Sequence, residues 1–177
     1  MSLYRTLLND RYTQLPMAVQ QLHDVQGIKR HRGECHSLRG SNIISRFIAS
    51  LLGLPPSGKQ LPLKVIFQQK HNREIWTRHF DKDRFVSEQW AKDGLLYERI
   101  RFITLVFQVN VSSEKLELNL KRVLFLGMNV KPLFRPKVTA IEFEKDGVFN
   151  LFIRVKLPLT GLLIEYHGWL KEDNAQD

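Results

Sequence analysis

Three charged residues interrupt apolar rows in the predicted strands of this 177-residue chain, and they are its best candidates for binding chemistry. In REIWTRHF, Arg78 shares a face with Trp76 and Phe80, because alternate residues of a strand point the same way. Glu98 breaks the apolar row of LLYERIRF in the same manner, and Arg122 breaks that of LELNLKRVLFLG. A buried charge needs a partner, so a meander that brings these strands together would explain all three.

Two interpretations of these charges stay open at the level of sequence. In the first, an internal salt bridge between arginine and glutamate satisfies itself and fixes the register of the strands. In the second, two arginines against one glutamate leave a positive surplus, which suits the carboxylate or phosphate head of an amphipathic ligand. Arg78 and Arg122 would hold that head, Glu98 would orient them, and Leu124 would join the aromatic residues in the wall.

The last predicted strand adds a tyrosine to the candidate pocket. In LLIEYHGWL, Tyr166 shares a row with Leu162 and Ile164, and we expect its hydroxyl at the rim of the pocket. The predicted ligand-binding residues are Trp76, Arg78, Phe80, Glu98, Arg122 and Tyr166.

Signals for catalysis and for metal or cofactor binding are weak. HRGECH contains His31, Cys35 and His36, but alternation places His36 on the opposite face, and no second pair completes a four-ligand site. The motifs HExxH, GxGxxG, GxSxG and the P-loop do not occur. We therefore predict no cofactor, no metal and no catalytic residue, and Glu98 is the single general acid or base that an enzyme could use.

Composition restricts the class of protein. The formal charge of +9 raises general affinity for nucleic acids and anionic surfaces, yet the basic residues are scattered except for KRHR at 29–32, and no nucleic-acid-binding motif stands out. One cysteine excludes an internal disulfide, and the first residues lack the apolar core of a secretory signal. No stretch approaches about 20 apolar residues, so we expect a cytoplasmic protein without a transmembrane segment.

The first third of the chain reads as helical and turn-rich. LYRTLLNDRYTQ with a cap at Ser2 and PMAVQQLHDV from Pro16 predict two helices, and 29–40 predicts a short strand. The clearest helix is 41–53, with Ser41 as its N-cap, Gly53 as its stop and an apolar stripe. That stripe consists of Ile44, Phe47, Ile48, Leu51 and Leu52.

Period-two patterns after residue 60 predict about eight strands joined by tight turns. They are LPLKVIFQQK, REIWTRHF, RFVSEQWAK, LLYERIRFITLVFQVNV, EKLELNLKRVLFLG, KVTAIEFEK, VFNLFIRVKLP and GLLIEYHGWLK. The predicted fold class is α+β and mainly β: N-terminal helices plus a strongly curved antiparallel meander, as a half-barrel or calycin-like barrel. We expect a single domain over 1–177, comprising a helical part at 1–55, a sheet at 61–170 and a polar tail at 171–177.

The order of landmarks resembles a bacterial domain of unknown function that occurs alone or C-terminal to saccharopine-dehydrogenase-like proteins. The matching stretches are YRTLLNDRYTQLPMAVQQLH, RG at 39–40, LLGLPPSG, IWTRHF, GLLYERIRF and LFLGMNVKPLFRPKVTAIEFEKDGVFNLFIRVKLPLTGLLIEYHGWL. The resemblance covers nearly the whole chain and includes Trp76, Arg78, Phe80 and Glu98. In the family pattern a glycine often follows the Glu-Arg pair, whereas this chain continues with Ile100 and Arg101, which leaves the local turn undefined.

The resemblance implies no dehydrogenase chemistry, since the nucleotide-binding half of such fusions has no counterpart here. The leading hypothesis is a small binding module with an apolar cavity for an amphipathic, anionic ligand. The alternatives are a structural domain that supports a protein partner, such as an enzyme, or an enzyme acting on a small amphipathic substrate.

Overall fold

The computed structural model describes residues 1–81 and 83–173 and is dominated by antiparallel strands. The helices are α1 (Leu3–Leu8), α2 (Met17–His23) and α3 (Ile43–Leu52), with short 3-10 helices at Asn9–Gln14 and Pro132–Phe134. The strands are β1 (Ile28–Arg39), β2 (Gly58–Lys70), β3 (Arg73–Phe80), β4 (Asp83–Lys92), β5 (Leu95–Ile100), β6 (Ile103–Val111), β7 (Lys115–Phe125), β8 (Met128–Asn129), β9 (Lys137–Lys145), β10 (Val148–Leu157) and β11 (Gly161–Glu172).

Ten of these strands close into one antiparallel barrel. Neighbours around it run β6-β5-β4-β3-β2-β1-β11-β10-β9-β7, and β7 pairs with β6 to complete the ring, while the two-residue β8 extends only the end of β7. The predicted meander is confirmed, but the barrel is closed and has more strands than expected. The ring is joined least extensively between β7 and β9, which pair only through Lys115–Glu117 and Ile141–Phe143.

Strand β1 joins the first and last parts of the barrel. It pairs with β2 on one side and with β11 on the other, so the segment predicted as a short strand is a 12-residue member of the ring. A close approach to β11 requires Gly33, because a Cβ there would lie 1.8 Å from the carbonyl oxygen of Trp169. Any side chain at residue 33 would therefore push the two strands apart.

The segment LLYERIRFITLVFQVNV, predicted as one strand, folds as two. Strand β5 ends at Ile100, and a two-residue turn at Arg101 and Phe102 leads into β6, which pairs back from Ile103. The turn is hidden in the sequence because Arg101 adopts a φ of +53°, a conformation usually supplied by glycine or asparagine. The Glu98-Arg99 pair is therefore followed closely by a turn in this chain.

The helical segment before β1 plugs one end of the barrel. The backbone N–H of Leu3 donates to Glu74 Oε1 at 3.0 Å, and the backbone N–H of Ala18 donates to Glu144 Oε2 at 2.7 Å. The side chains of Tyr4 and Val19 are fully buried. This end of the barrel, here called the closed end, is therefore filled by protein.

Helix α3 lies at the opposite end, between β1 and β2 in the chain. Its N-cap is Asn42, whose Oδ1 accepts from the N–H of Ile44 at 2.9 Å, in place of the predicted Ser41, and Gly53 ends it with a φ of +69°. The hydroxyls of Ser45 and Thr160 hydrogen-bond at 2.8 Å and tie α3 to the β10–β11 turn. Within the described chain, no helix has the length and apolarity needed to cross a membrane.

The predicted apolar stripe of α3 was only partly right. Ile48 and Leu52 face the barrel, but Ile44, Phe47 and Leu51 are exposed, and the fully buried side of the helix carries the small residues Ser45 and Ala49. The periodicity correctly predicted a helix, but it did not show which side of that helix would pack against the barrel.

The remaining segment boundaries differ little from expectation. The LYRTLLNDRYTQ segment splits into α1 and a 3-10 helix, and the side chain of Ser2 makes no cap hydrogen bond. Strand β11 runs to Glu172, so the predicted polar tail is shorter than 171–177. Residues 174–177 of that tail, and Lys82 in the predicted Asp-Lys-Asp turn, lie outside the described residues.

Candidate functional site

An apolar cavity occupies the α3 end of the barrel. Its volume is about 270 Å³, close to the lower end of the range of small-molecule pockets. Of its 24 described lining residues, only Arg78, Glu98 and Tyr166 have polar side chains. Ile48 and Leu52 of α3 form part of its border. The fold has therefore enclosed an apolar space with three polar groups among its lining residues.

Arg78 has the inward position that strand alternation predicted. Its residue is 9% exposed, and Nη1 donates to Ser87 Oγ at 2.9 Å. The guanidinium carbon lies 4.9 Å from the ring centre of Trp76 and 5.2 Å from that of Phe85, which are favourable cation–π distances. The cation is thus held between aromatic rings while part of its hydrogen-bonding capacity remains available.

Glu98 faces Arg78 without closing on it. Arg78 Nη2 lies 3.6 Å from Glu98 Oε1, which is an ion-pair distance but longer than a normal hydrogen bond. Both residues line the cavity. Arg78 and Glu98 therefore meet, as both interpretations required, and the pair offers both a donor and an acceptor to a molecule in the cavity.

Tyr166 completes the polar group. Burial raises the pKa of its phenol to about 12, opposed by the charge of Arg78, so the hydroxyl keeps its proton and can donate a hydrogen bond. Its ring packs edge-on against Phe80, with 6.1 Å between ring centres. Within the described residues the Tyr166 hydroxyl makes no hydrogen bond, which leaves it available to a ligand.

Arg122 lies outside the barrel, so its predicted place on the buried face was wrong. The β6–β7 register shifts because Val106 pairs with Arg122 while Phe107 pairs with Leu120, and Lys121 forms a bulge between them. The extra residue reverses the alternation, which buries Val123 and directs Arg122 Nη2 to the hydroxyl of Tyr97 at 3.0 Å. Leu124, also predicted to line the wall, does not border the cavity for the same reason.

The two aromatic residues predicted to bind a ligand lie in the core next to the polar residues of the site. Trp76 and Phe80 are buried, as their row predicted, but neither borders the cavity at the α3 end. Trp76 lines a second space of about 30 Å³ that also touches Arg78 and Tyr166, deeper in the barrel. A space of that size has room for a water molecule.

A buried polar cluster at the closed end was not predicted from the sequence. Glu74 Oε2 accepts from the indole of Trp76 at 3.1 Å, and the hydroxyl of Tyr4 donates to Gln89 Oε1 at 3.2 Å. His23 stacks on Tyr4 with 3.7 Å between ring centres and lies 2.5 Å from a carboxylate oxygen of Glu142. Glu74 could have been found, since it shares the alternating row of Trp76 and Arg78.

This cluster changes the charge balance of the interior. Glu74, Glu98 and Glu142 are buried together with one arginine, Arg78, and with His23. Burial raises the pKa of Glu74, against hydrogen bonds from Leu3 and Trp76. With Arg122 outside, the positive surplus predicted for the pocket is wrong.

The histidines and the cysteine of HRGECH follow strand alternation. His31 and Cys35 are buried, whereas His36 lies on the outer wall and stacks on His167 with 5.2 Å between ring centres. Burial raises the pKa of the Cys35 thiol to about 11, so it is poorly suited to act as a nucleophile. Among the described residues, no three potential metal ligands converge.

Most of the chain matches a known family model. The model is described as a domain of unknown function (DUF4166) and matches residues 15–170, which agrees with the extent of the resemblance seen in the sequence. No curated protein matches the chain.

Proposed function

The chain belongs to this family of domains of unknown function, and we propose that its barrel is a binding module for a small amphipathic molecule. The observation that carries the proposal is the cavity of about 270 Å³ whose walls are apolar except for Arg78, Glu98 and Tyr166. Apolar walls with a few convergent polar groups are typical of ligand sites. The apolar part of the ligand would fill the cavity and its head would reach the three polar side chains.

The polar groups favour a head that both accepts and donates hydrogen bonds. Arg78 and the protonated Tyr166 supply donors, and Glu98 supplies an acceptor 3.6 Å from the arginine. An anionic head would face Glu98 directly, and the second arginine that was expected to offset this repulsion is outside. An alcohol or amide head therefore suits the site better than the carboxylate expected from the sequence.

Displacement of a dansyl-labelled fatty acid by three compounds with the same alkyl chain tests the proposal. We expect saturable displacement, with the alcohol and the amide more effective than the carboxylate. Tyr166→Phe removes one hydrogen bond and should weaken the alcohol roughly threefold to tenfold. Glu98→Gln removes the competing carboxylate and should make the fatty acid the better ligand, which native mass spectrometry can check independently.

Filling the cavity provides the matched control. Val155 lines the cavity, whereas Val86 is exposed on the outer wall, so Val155→Trp should abolish displacement and Val86→Trp should leave it unchanged. If none of the three compounds binds the wild-type protein saturably, or if both tryptophan variants bind equally well, the proposed site is wrong.

A further inference from the structure

Helix α3 exposes its largest apolar side chains to solvent. Ile43 is 81% exposed and Phe47 67% exposed, and Ile44 and Leu51 are exposed beside them. The side of the helix that faces the barrel instead carries Ser45, Ala49, Ile48 and Leu52. A surface helix normally turns its large apolar residues inward, so this orientation leaves an apolar face without a partner in the described chain.

A second segment at the same end of the barrel is equally apolar and exposed. In the β7–β9 connection, Leu126, Met128, Leu133 and Phe134 are exposed, Leu133 to 76%. Phe134 lines the same cavity as Ile48 and Leu52 of α3, which places this connection and α3 around one space.

The turn between β10 and β11 adds a third contribution. Leu159 is 85% exposed, and the neighbouring Thr160 is hydrogen-bonded to Ser45 of α3. These exposed side chains of α3, of the β7–β9 connection and of Leu159 are called here the apolar rim. It borders the α3 end of the cavity on the side of α3 and of the β7–β9 and β10–β11 connections.

Positive charges accompany the apolar rim. The chain has no acidic residue from 35 to 73, nor from 118 to 141, and these stretches include α3 and the β7–β9 connection. Arg46 is exposed beside Phe47, and Lys131 is exposed beside Leu133. Arg101 in the β5–β6 turn is exposed at the same end. Asp81 and Asp83, which flank the β3–β4 turn, are the acidic exceptions there among the described residues.

We infer that the apolar rim docks onto the surface of a lipid bilayer that contains anionic lipids, with the cavity facing the bilayer. Apolar side chains bordered by exposed arginine and lysine match such a surface, where the apolar groups enter the acyl boundary and the cations meet the headgroups. This inference goes beyond the proposed function and does not require a ligand in the cavity. Where both hold, the docked orientation gives an amphipathic ligand a route that avoids water.

The distribution of the rim favours a bilayer over a protein partner. Its apolar residues project from three separate segments at the α3 end of the barrel, and basic residues lie among them. Each basic residue near an anionic surface contributes attraction equivalent to about a fivefold gain in affinity. Association of two copies through the rim would instead bring the same positive charges together.

Vesicle flotation tests the inference with the full chain. We expect weak binding to phosphatidylcholine vesicles and strong binding when the vesicles also contain phosphatidylglycerol. Phe47→Ser with Leu133→Ser should reduce binding by about tenfold or more, because both side chains lose apolar burial. Arg46→Ala with Lys131→Ala should reduce binding to the anionic vesicles by about 25-fold and have little effect on the neutral ones.

Matched controls lie elsewhere on the barrel. Met17→Ser with Ile28→Ser alters exposed apolar residues near the closed end, and Arg11→Ala with Lys92→Ala alters exposed cations there. Both control pairs should bind vesicles like the wild type. Equal losses in the rim and control pairs, or no binding of the wild type to either vesicle, would overturn the inference.

Two further measurements separate bilayer docking from self-association of the chain and from ligand binding in the cavity. Light scattering that shows a dimer dissociated by the Phe47 and Leu133 substitutions, without vesicle binding, would assign the rim to self-association and overturn docking. Val155→Trp, which fills the cavity, should keep vesicle binding, whereas the rim variants should keep displacement of the labelled fatty acid by soluble alcohols. A negative result for ligand binding in the cavity therefore leaves bilayer docking testable, and a negative result for docking leaves ligand binding testable.

Discussion

At the scale of single residues, the ion pair of Arg78 and Glu98 bears both on the stability of the barrel and on the proposed binding site. Both residues are 9% exposed, and the pair is supported by Ser87 and two aromatic rings. A buried pair adds little net stability, but each member depends strongly on the other. Replacement of either side chain alone should therefore destabilise the fold, although both also belong to the proposed ligand site.

A double-mutant cycle measures this dependence. Glu98→Leu leaves a buried cation and should lower the free energy of unfolding by about 3 kcal/mol, and Arg78→Met should do the same by leaving a buried carboxylate. The double variant should be more stable than either single one, because no unpaired charge remains. Urea unfolding gives these values.

An exposed pair on the outer wall serves as the control for that cycle. Arg73 Nη1 lies 2.8 Å from Glu88 Oε1, with the arginine side chain about half exposed. Arg73→Met should cost at most about 1 kcal/mol, since solvent screens the pair. If the losses of stability in Glu98→Leu and Arg78→Met add up in the double variant, the two charges do not depend on each other.

At the scale of elements, single residues in turns and bulges decide which way whole strands face. The bulge at Lys121 moves Arg122 outward, and the turn at Arg101 divides one predicted strand into two. Neither lysine nor arginine is a residue type that predicts a bulge or a tight turn from sequence. Two other turns are typical hairpin turns, because Asp93-Gly94 and Asp146-Gly147 have positive φ at both residues.

Replacement of Arg101 by glycine should stabilise the β5–β6 turn. Arg101 has a φ of +53°, which costs an L-residue on the order of 1 kcal/mol, so Arg101→Gly should raise the free energy of unfolding by about 0.5 kcal/mol. Thr104→Gly, in the adjacent strand β6, is the control and should lower it by about 1 kcal/mol. Thermal unfolding compares the two, and a loss of stability in Arg101→Gly would mean that the arginine side chain stabilises the turn.

At the scale of the whole molecule, the two ends of the barrel differ in what covers them. The closed end is filled by α1 and α2 and contains the polar cluster of Glu74, His23 and Glu142, whereas the other end has the cavity and the apolar rim. The loops of the closed end include Asp93, Asp146 and Glu114, while the connections at the rim are mostly basic. The two ends of the barrel therefore differ in packing and in the charge of their loops.

Acid should destabilise the barrel through His31. Burial, assisted by the charges of Lys29 and His23 and opposed by Asp173, lowers the pKa of His31 to about 4. The unfolded chain therefore binds a proton at higher pH than the folded one, so stability is lost as pH falls from about 6.5 to about 4. The loss from this residue is on the order of 3 kcal/mol.

Replacement of His31 by leucine tests this assignment. Urea unfolding between pH 7 and pH 4 should show a shallower loss of stability in His31→Leu than in the wild type. His71 lies exposed in the β2–β3 turn, so His71→Gln controls for the removal of a histidine. An unchanged slope in His31→Leu would assign the acid sensitivity to other groups.

The sequence by itself determined the local features of this protein. Strand alternation correctly placed Trp76, Arg78, Phe80 and Glu98 on inner faces, because the two-residue period is a property of the backbone alone. The family-like motifs also identified the family, whose match covers residues 15–170. The sequence left open whether Arg78 and Glu98 form a salt bridge that satisfies itself or part of a ligand site.

Tertiary structure decided the features that depend on more than one element. The bulge opposite β6 moved Arg122 outside, closure of the ring created the cavity, and docking of α3 left Phe47 in solvent. Each outcome depends on the register and packing of a neighbouring segment, and a register shift of one residue exchanges the two faces of a strand. Periodicity along one segment carries no information about that neighbour, which is why the chain's composition could indicate an apolar interior but not its shape or its charge.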